Sequence, residues 1–184
     1  MTTKTVEELM TPLSEYATVS QDATLKEAII ALENVQKAFD KNQYQHRAVL
    51  VYNELNYIVG KVGQLDVLRA LEPKYESMGA TSGIARFGFS SHFMKSMFEH
   101  YKLFDSPMEK LTKRAASLKV KEFMHTPTEG EFVNKKASVN EAIHSFVMGQ
   151  HQSLLVVSEK QIVGILRLVD VFKEISNEIT KSGE

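Results

Sequence analysis

The chain has 184 residues, 43% hydrophobic and 24% charged, with 22 basic against 23 acidic residues and a formal net charge of −1. Those figures suit one generous globular domain or two small ones, and exclude a disordered chain and the global basic excess of a protein that tracks phosphate backbones. The absence of cysteine excludes a disulfide scaffold, Cys-ligated zinc and a thiol nucleophile. No stretch approaches the ~18 uninterrupted apolar residues of a membrane span. The opening MTTKTVEELM has no apolar signal core. A cytoplasmic location is expected, with neither a membrane nor a nucleic-acid partner.

Val6, Leu9 and Met10 fall at i, i+3 and i+4, the spacing of one helical turn, and Pro12 disfavours its continuation. Thr24 and Glu27 form a capping box for an amphipathic helix with the stripe Leu25, Ala28, Ile29 and Leu32. A β-branched run, His46 to Val51, reads as a buried strand. A polar turn at Asn53-Glu54 leads to a second strand, Tyr57 to Val62, which contains Gly60. A closing helix follows, with Asp66 near its start.

The middle segment has a loop at Gly79 to Gly83, then a helix capped by Ser90 or Ser91, with Phe93, Met94, Met97, Phe98 and Tyr101 near one face. A second helix is expected with Ser106 as N-cap, Pro107 at its first position, Glu109 completing a box, and the stripe Met108, Leu111 and Ala115. Packing against its own chain is the first expectation for this segment; a dimer or partner contact is the second.

The first pattern then returns. Ala137 to Ile143 parallels Ala23 to Ile29 at a spacing of 114 positions, and Ser138 with Glu141 repeats the capping box. The strand pair recurs at His151 to Val157 and Gln161 to Leu166, now at a spacing of 104 for the glycines Gly60 and Gly164. The first copy therefore holds ten extra residues, around Lys37 to Tyr44. Asp170 stands six residues after Gly164, as Asp66 does after Gly60. A copy of about 60 residues buries too little surface to be stable alone, so two copies are expected to share a core. The division is 1–72, 73–117 and 118–184. The fold class is α+β: two pseudo-symmetric helix-strand-strand-helix units with small mixed sheets, plus a helical insertion.

This duplicated order, with its paired Val-Gly hairpins and helix-opening aspartates, resembles the tandem CBS-domain pair, or Bateman module, over residues 5–72 and 118–178. The resemblance implies a non-catalytic regulatory module that binds an adenosine-containing ligand (AMP, ADP, ATP or S-adenosylmethionine) in clefts between the units. It implies a homodimer, and an output through conformational change that an effector protein would read. Asp66 and Asp170 would accept hydrogen bonds from ribose hydroxyls. The family's Thr or Ser, a phosphate or ribose contact, is replaced by Gly63 and Arg167. Arg167 could grip phosphate or fill the cleft, and Gly63 permits close approach to the backbone. Thr18, Val19, Phe132 and Val133 would line the adenine pocket or pack in the core. Arg47, His46 and His151 are candidate anion contacts. Each aspartate has a competing role as a helix cap. The alternative function is a structural or protein-interaction module with one or both clefts empty. No metal-binding histidine spacing, nucleophile elbow, phosphate loop or dinucleotide fingerprint occurs, so no catalytic or metal site is assigned.

Overall fold

The computed structural model describes residues 4–38, 46–78 and 88–181. Most of the ten-residue excess of the first copy and the Gly79 to Gly83 segment lie outside them. In chain order, the first copy comprises α1 (Val6–Leu9), β1 (Thr11–Pro12), β2 (Thr18–Ser20), α2 (Leu25–Ala38), β3 (Ala48–Tyr52), β4 (Ile58–Gly63) and α3 (Gln64–Leu71). The middle segment holds α4 (Lys74–Ser77), α5 (Ser91–His100) and α6 (Met108–Ala116). The second copy comprises α7 (Val120–Phe123), β5 (Phe132–Asn134), α8 (Val139–Gly149), β6 (Ser153–Ser158), β7 (Gln161–Arg167) and α9 (Leu168–Lys181).

Both capping boxes form. The Thr24 and Ser138 backbone amides donate to Glu27 and Glu141 at 2.6 and 2.8 Å. Each satisfies an amide that the helix start would otherwise leave without a partner. In each unit a parallel pair, β2 on β3 or β5 on β6, sits beside an antiparallel hairpin, β3–β4 or β6–β7. The register slips at the same place in both hairpins, Val51/Tyr52 and Val156/Val157.

The units exchange their first turns. Val6 and Glu7 amides donate to the Ala137 and Lys135 carbonyls, both at 2.9 Å, and β1 pairs with β7 through Thr11↔Ile165 and Pro12↔Gly164. In the reverse direction, Val120 and Lys121 amides donate to Ala23 and Gln21 at 2.8 and 3.0 Å, and His125 bridges Lys61. Val6 is thus fully buried among Val133, Phe146, Leu154 and Leu166, while Val120 completes the core of Val19, Val49, Val51 and Val62. Gly60 and Gly164 mark the crossings. A Cβ on Gly164 would lie 2.5 Å from the Thr11 carbonyl oxygen, and one on Gly60 would lie 2.5 Å from the Met124 sulfur. Between the two sheets a third cluster forms from Tyr16, Leu50, Leu155 and Ile165, in which the equivalent leucines of the two halves take part.

The middle segment packs in part. Ser90 caps α5, its Oγ accepting from the Phe93 amide at 3.1 Å. α6 begins one residue later than expected: Pro107, with ψ at 144°, is itself the cap residue, so neither Ser106 nor a Glu109 box closes this helix start. Leu111 and Ala115 are buried as expected, Ala115 against Leu25 and Ala70, whereas Met108 faces solvent. Glu72 ties the segment down by accepting the Phe104 amide at 2.6 Å, and Arg114 donates to the Leu71 carbonyl at 2.7 Å. α5 has no buried residue, and it borders an apolar crevice of about 410 Å³ with Met78 and Phe89.

Candidate functional site

Asp66 opens α3 immediately after β4. Its Oδ2 accepts the Gly63 amide at 2.8 Å, and Oδ1 lies 3.4 Å from the Arg69 guanidinium. The capping role is therefore filled. A carboxylate has about four acceptor sites, so capping leaves capacity for ribose hydroxyls. Ala48 pairs with Gly63 across the hairpin, which sets the exposed Arg47 beside this helix start. Arg47, Gly63, Gln64 and Val67 border a small apolar crevice of about 40 Å³ that runs under α2. That volume is far too small for a nucleoside, and every residue lining it belongs to the first unit, so this crevice is not the cleft between the units.

The equivalent position in the second unit is built differently. Arg167 Nε and Nη2 donate to the two oxygens of Asp170 at 2.5 and 2.7 Å, a bidentate pair that is mostly shielded from solvent. Such pairs combine charge with fixed geometry. Tyr16, 6% exposed, packs near Ile165, and His46, 1% exposed, meets the Tyr16 ring edge-on at 4.3 Å. Burial raises the Tyr16 phenol to about 12. Burial, reinforced by the charge of Arg167 and partly offset by Asp170, lowers His46 to about 4. His46 is therefore neutral in the folded chain where the unfolded chain, near 6.5, already binds a proton. Stability is then fully present above about pH 6.5 and is lost as pH falls towards 4. A drop from pH 7 to 4.5 is expected to remove about 2–3 kcal/mol through this one group. Urea unfolding across that range should show the loss in the wild type and a flatter profile in His46→Leu.

Strand alternation divides the segments expected to line an adenine pocket. Val19 and Val133 are buried in the cores of their own units, the core-packing role held open for them. Thr18 and Phe132 point the other way and are exposed. His151 is half-buried, and its ring lies so close to Gly149 that a Cβ there would come within 2.0 Å of Nε2.

One polar cluster was not singled out by sequence reasoning. Glu131, the residue just before β5, is buried; it pairs with Lys61 Nζ at 2.6 Å, meets His125 Nε2 at 2.6 Å and accepts the Thr128 amide at 3.0 Å. Burial opposes its charge, but the hydrogen bonds from Lys61, His125 and Thr128 prevail and hold it down at about 2. The repeat spacing carried a signal for it. Glu131 and Lys61 stand where the other half has Ala17 and Ile165.

Among the described residues, no group of three or more His, Asp or Glu could hold a metal ion, and no helix is long and apolar enough to cross a membrane. A family model described as CBS domain matches residues 6–73 and 120–177, more than half of the chain. No curated protein sequence matches. Several solved structures resemble the chain. CBSX2 in complex with AMP is 19% identical, with a TM-score of 0.58 over 94% of this chain and 97% of that one. The CBS domain of the bacterial CNNM/CorC family Mg2+ transporter in complex with ATP is 20% identical, with a TM-score of 0.58 over 94% and 87%. Protein MJ1004 from Methanocaldococcus jannaschii is 17% identical, with a TM-score of 0.58, and the chain covers 95% of itself but only 60% of that protein. Likeness at these identities establishes the fold. With two matched regions that coincide with the two repeats, and with neighbours of the same architecture, the chain belongs to the CBS-domain family as a tandem pair.

Proposed function

We propose that this chain is a non-catalytic regulatory module that binds an adenosine-containing ligand, AMP, ADP, ATP or S-adenosylmethionine, in a cleft between its two units. The observation that carries this reading is the placement of Asp66: a mostly shielded carboxylate at a helix start, next to a residue without a side chain and an exposed arginine. Two structures of the same fold, CBSX2 and the transporter's CBS domain, were solved with AMP and ATP. Bonds from a ribose diol to a carboxylate contribute about 1.5–3 kcal/mol each when shielded from water. Because each core contains the other unit's first turn, a ligand that favours one relative arrangement of the units would shift the whole pair towards it. Leu65 and Leu68 on α3, with Phe172 and Ile179 on α9, leave apolar side chains exposed, which supports the homodimer and a surface for an effector protein. A cytoplasmic location fits this role.

Thermal unfolding with AMP, ADP, ATP and S-adenosylmethionine tests the reading. A ligand at 100 times its dissociation constant adds about 2.7 kcal/mol of stability. Asp66→Ala should weaken the responding ligand by about 10- to 100-fold. No response to any of the four would overturn it. The second reading, an interaction module with empty clefts, is favoured at one site only, where Arg167 occupies both oxygens of Asp170.

A further inference from the structure

The two halves carry the same acid at the same place and surround it differently. Counted back from the matching strand residues Thr18 and Phe132, Tyr16 corresponds to Gly130. Counted on from Gly60 and Gly164, Gly63 corresponds to Arg167. Arg47 likewise corresponds to Gln152, each just before the middle strand of its sheet.

Around Asp170 stand the bulky members of the first two pairs. Arg167 takes both oxygens, and Tyr16 packs near Ile165, on the same face of β7 as Arg167 by strand alternation. His46 closes over Tyr16. Around Asp66 the small members stand: Gly63, and Gly130, which is exposed. Gly130 belongs to this side because its neighbour Glu131 is ion-paired to Lys61, on the same face of β4 as Gly63. His151, the counterpart of the buried His46, is half-buried here.

The backbone does not demand either small residue. Gly63 has φ at −96°, and a Cβ there would sit 3.5 Å from Asp66 Oδ2. One on Gly130 would sit 3.8 Å from His151 Nε2. Both are ordinary contacts, unlike the 2.5 Å collisions at Gly60 and Gly164. The missing side chains therefore leave room and relieve no clash. Charge divides in the same direction. Arg47 is an exposed cation beside Gly63, whereas its counterpart Gln152 is neutral and Arg167 is committed to Asp170.

We propose that this chain keeps one working cleft: the one beside Asp66 receives a phosphate-bearing adenosyl ligand, and the one beside Asp170 is closed by Arg167, Tyr16 and His46. This rests on the adenosyl reading above and narrows it to one site and to anionic ligands. Isothermal titration of the full chain with AMP and with ATP tests it. One equivalent per chain is expected. Gly63→Arg, which copies the closed side, should weaken binding by about 10- to 100-fold with the thermal midpoint retained. Gly130→Tyr provides the same test if Gly63→Arg does not fold. Two equivalents per chain, or wild-type affinity in both variants, would overturn the single-cleft assignment and leave the adenosyl reading standing. Tighter binding of S-adenosylmethionine than of AMP would overturn the preference for phosphate. Failure of the wild type to bind AMP, ATP or S-adenosylmethionine would sink the adenosyl reading, and this assignment with it.

Discussion

Replacing Glu131 with alanine is expected to destabilise the chain by about 3–5 kcal/mol, because it strands the Lys61 ammonium in a site made for an ion pair. Lys61 is 15% exposed at its side chain and Glu131 is 4% exposed, so water cannot take over the lost partner fully. The remedy is written in the other half of the molecule, where the same two positions hold Ala17 and Ile165 and both are buried without charge. The double variant Lys61→Ile/Glu131→Ala should therefore recover most of the loss, since well-packed apolar replacements of buried pairs are often neutral or stabilising. Urea unfolding of the wild type, Glu131→Ala and the double variant reads this directly. Equal stability of wild type and Glu131→Ala would show that the pair contributes nothing. The pH dependence has a definite sign. The Glu131 carboxyl is held at about 2 in the folded chain against 4.5 in its ordinary state, so its stabilisation is present above about pH 4.5 and is lost as pH falls towards 2. That window lies mostly below the one in which His46 acts, with a short overlap near pH 4 to 4.5.

Deleting residues 1–10 is expected to melt the second unit before the first, although the deletion lies in the first copy. The segment buries Val6 completely in the second core, with Leu9 and Met10 packed against it. Burial of Val6 is worth about 2 kcal/mol. Three backbone bonds, Val6 to Ala137, Glu7 to Lys135 and Val139 to Lys4, add about 1 kcal/mol each. A loss of about 5 kcal/mol is comparable with the whole stability of a small domain. Hydrogen exchange should show protection lost first in β6 and β7, with β3 and β4 less affected. Uniform loss, or loss confined to the first unit, would contradict the exchanged packing.

Much of this architecture is legible residue by residue. The capping boxes, the strand pairs and the recurrence of Asp66 as Asp170 depend on spacing and on short-range hydrogen bonding, and these act within a few residues of the chain. The crossing glycines are legible as a pair for the same reason, since each recurs in one place of each copy. α6 starts one residue later than its sequence pattern predicts because Pro107 sets its own φ but leaves ψ extended, a choice made by the chain around it.

What the amino-acid order determined alone is therefore the unit, its duplication and the two aspartates at matching helix starts. Which core each first turn enters, and what packs around the Arg167–Asp170 pair, were decided only when the units met. Val6 and Val120 are equally apolar, and nothing local says that each completes the other half's core. Tyr16 lies far from Ile165 in the chain, so its packing against β7 exists only in three dimensions. Long-range contacts of this kind depend on the shape and charge of surfaces that the sequence encodes separately and the fold brings together.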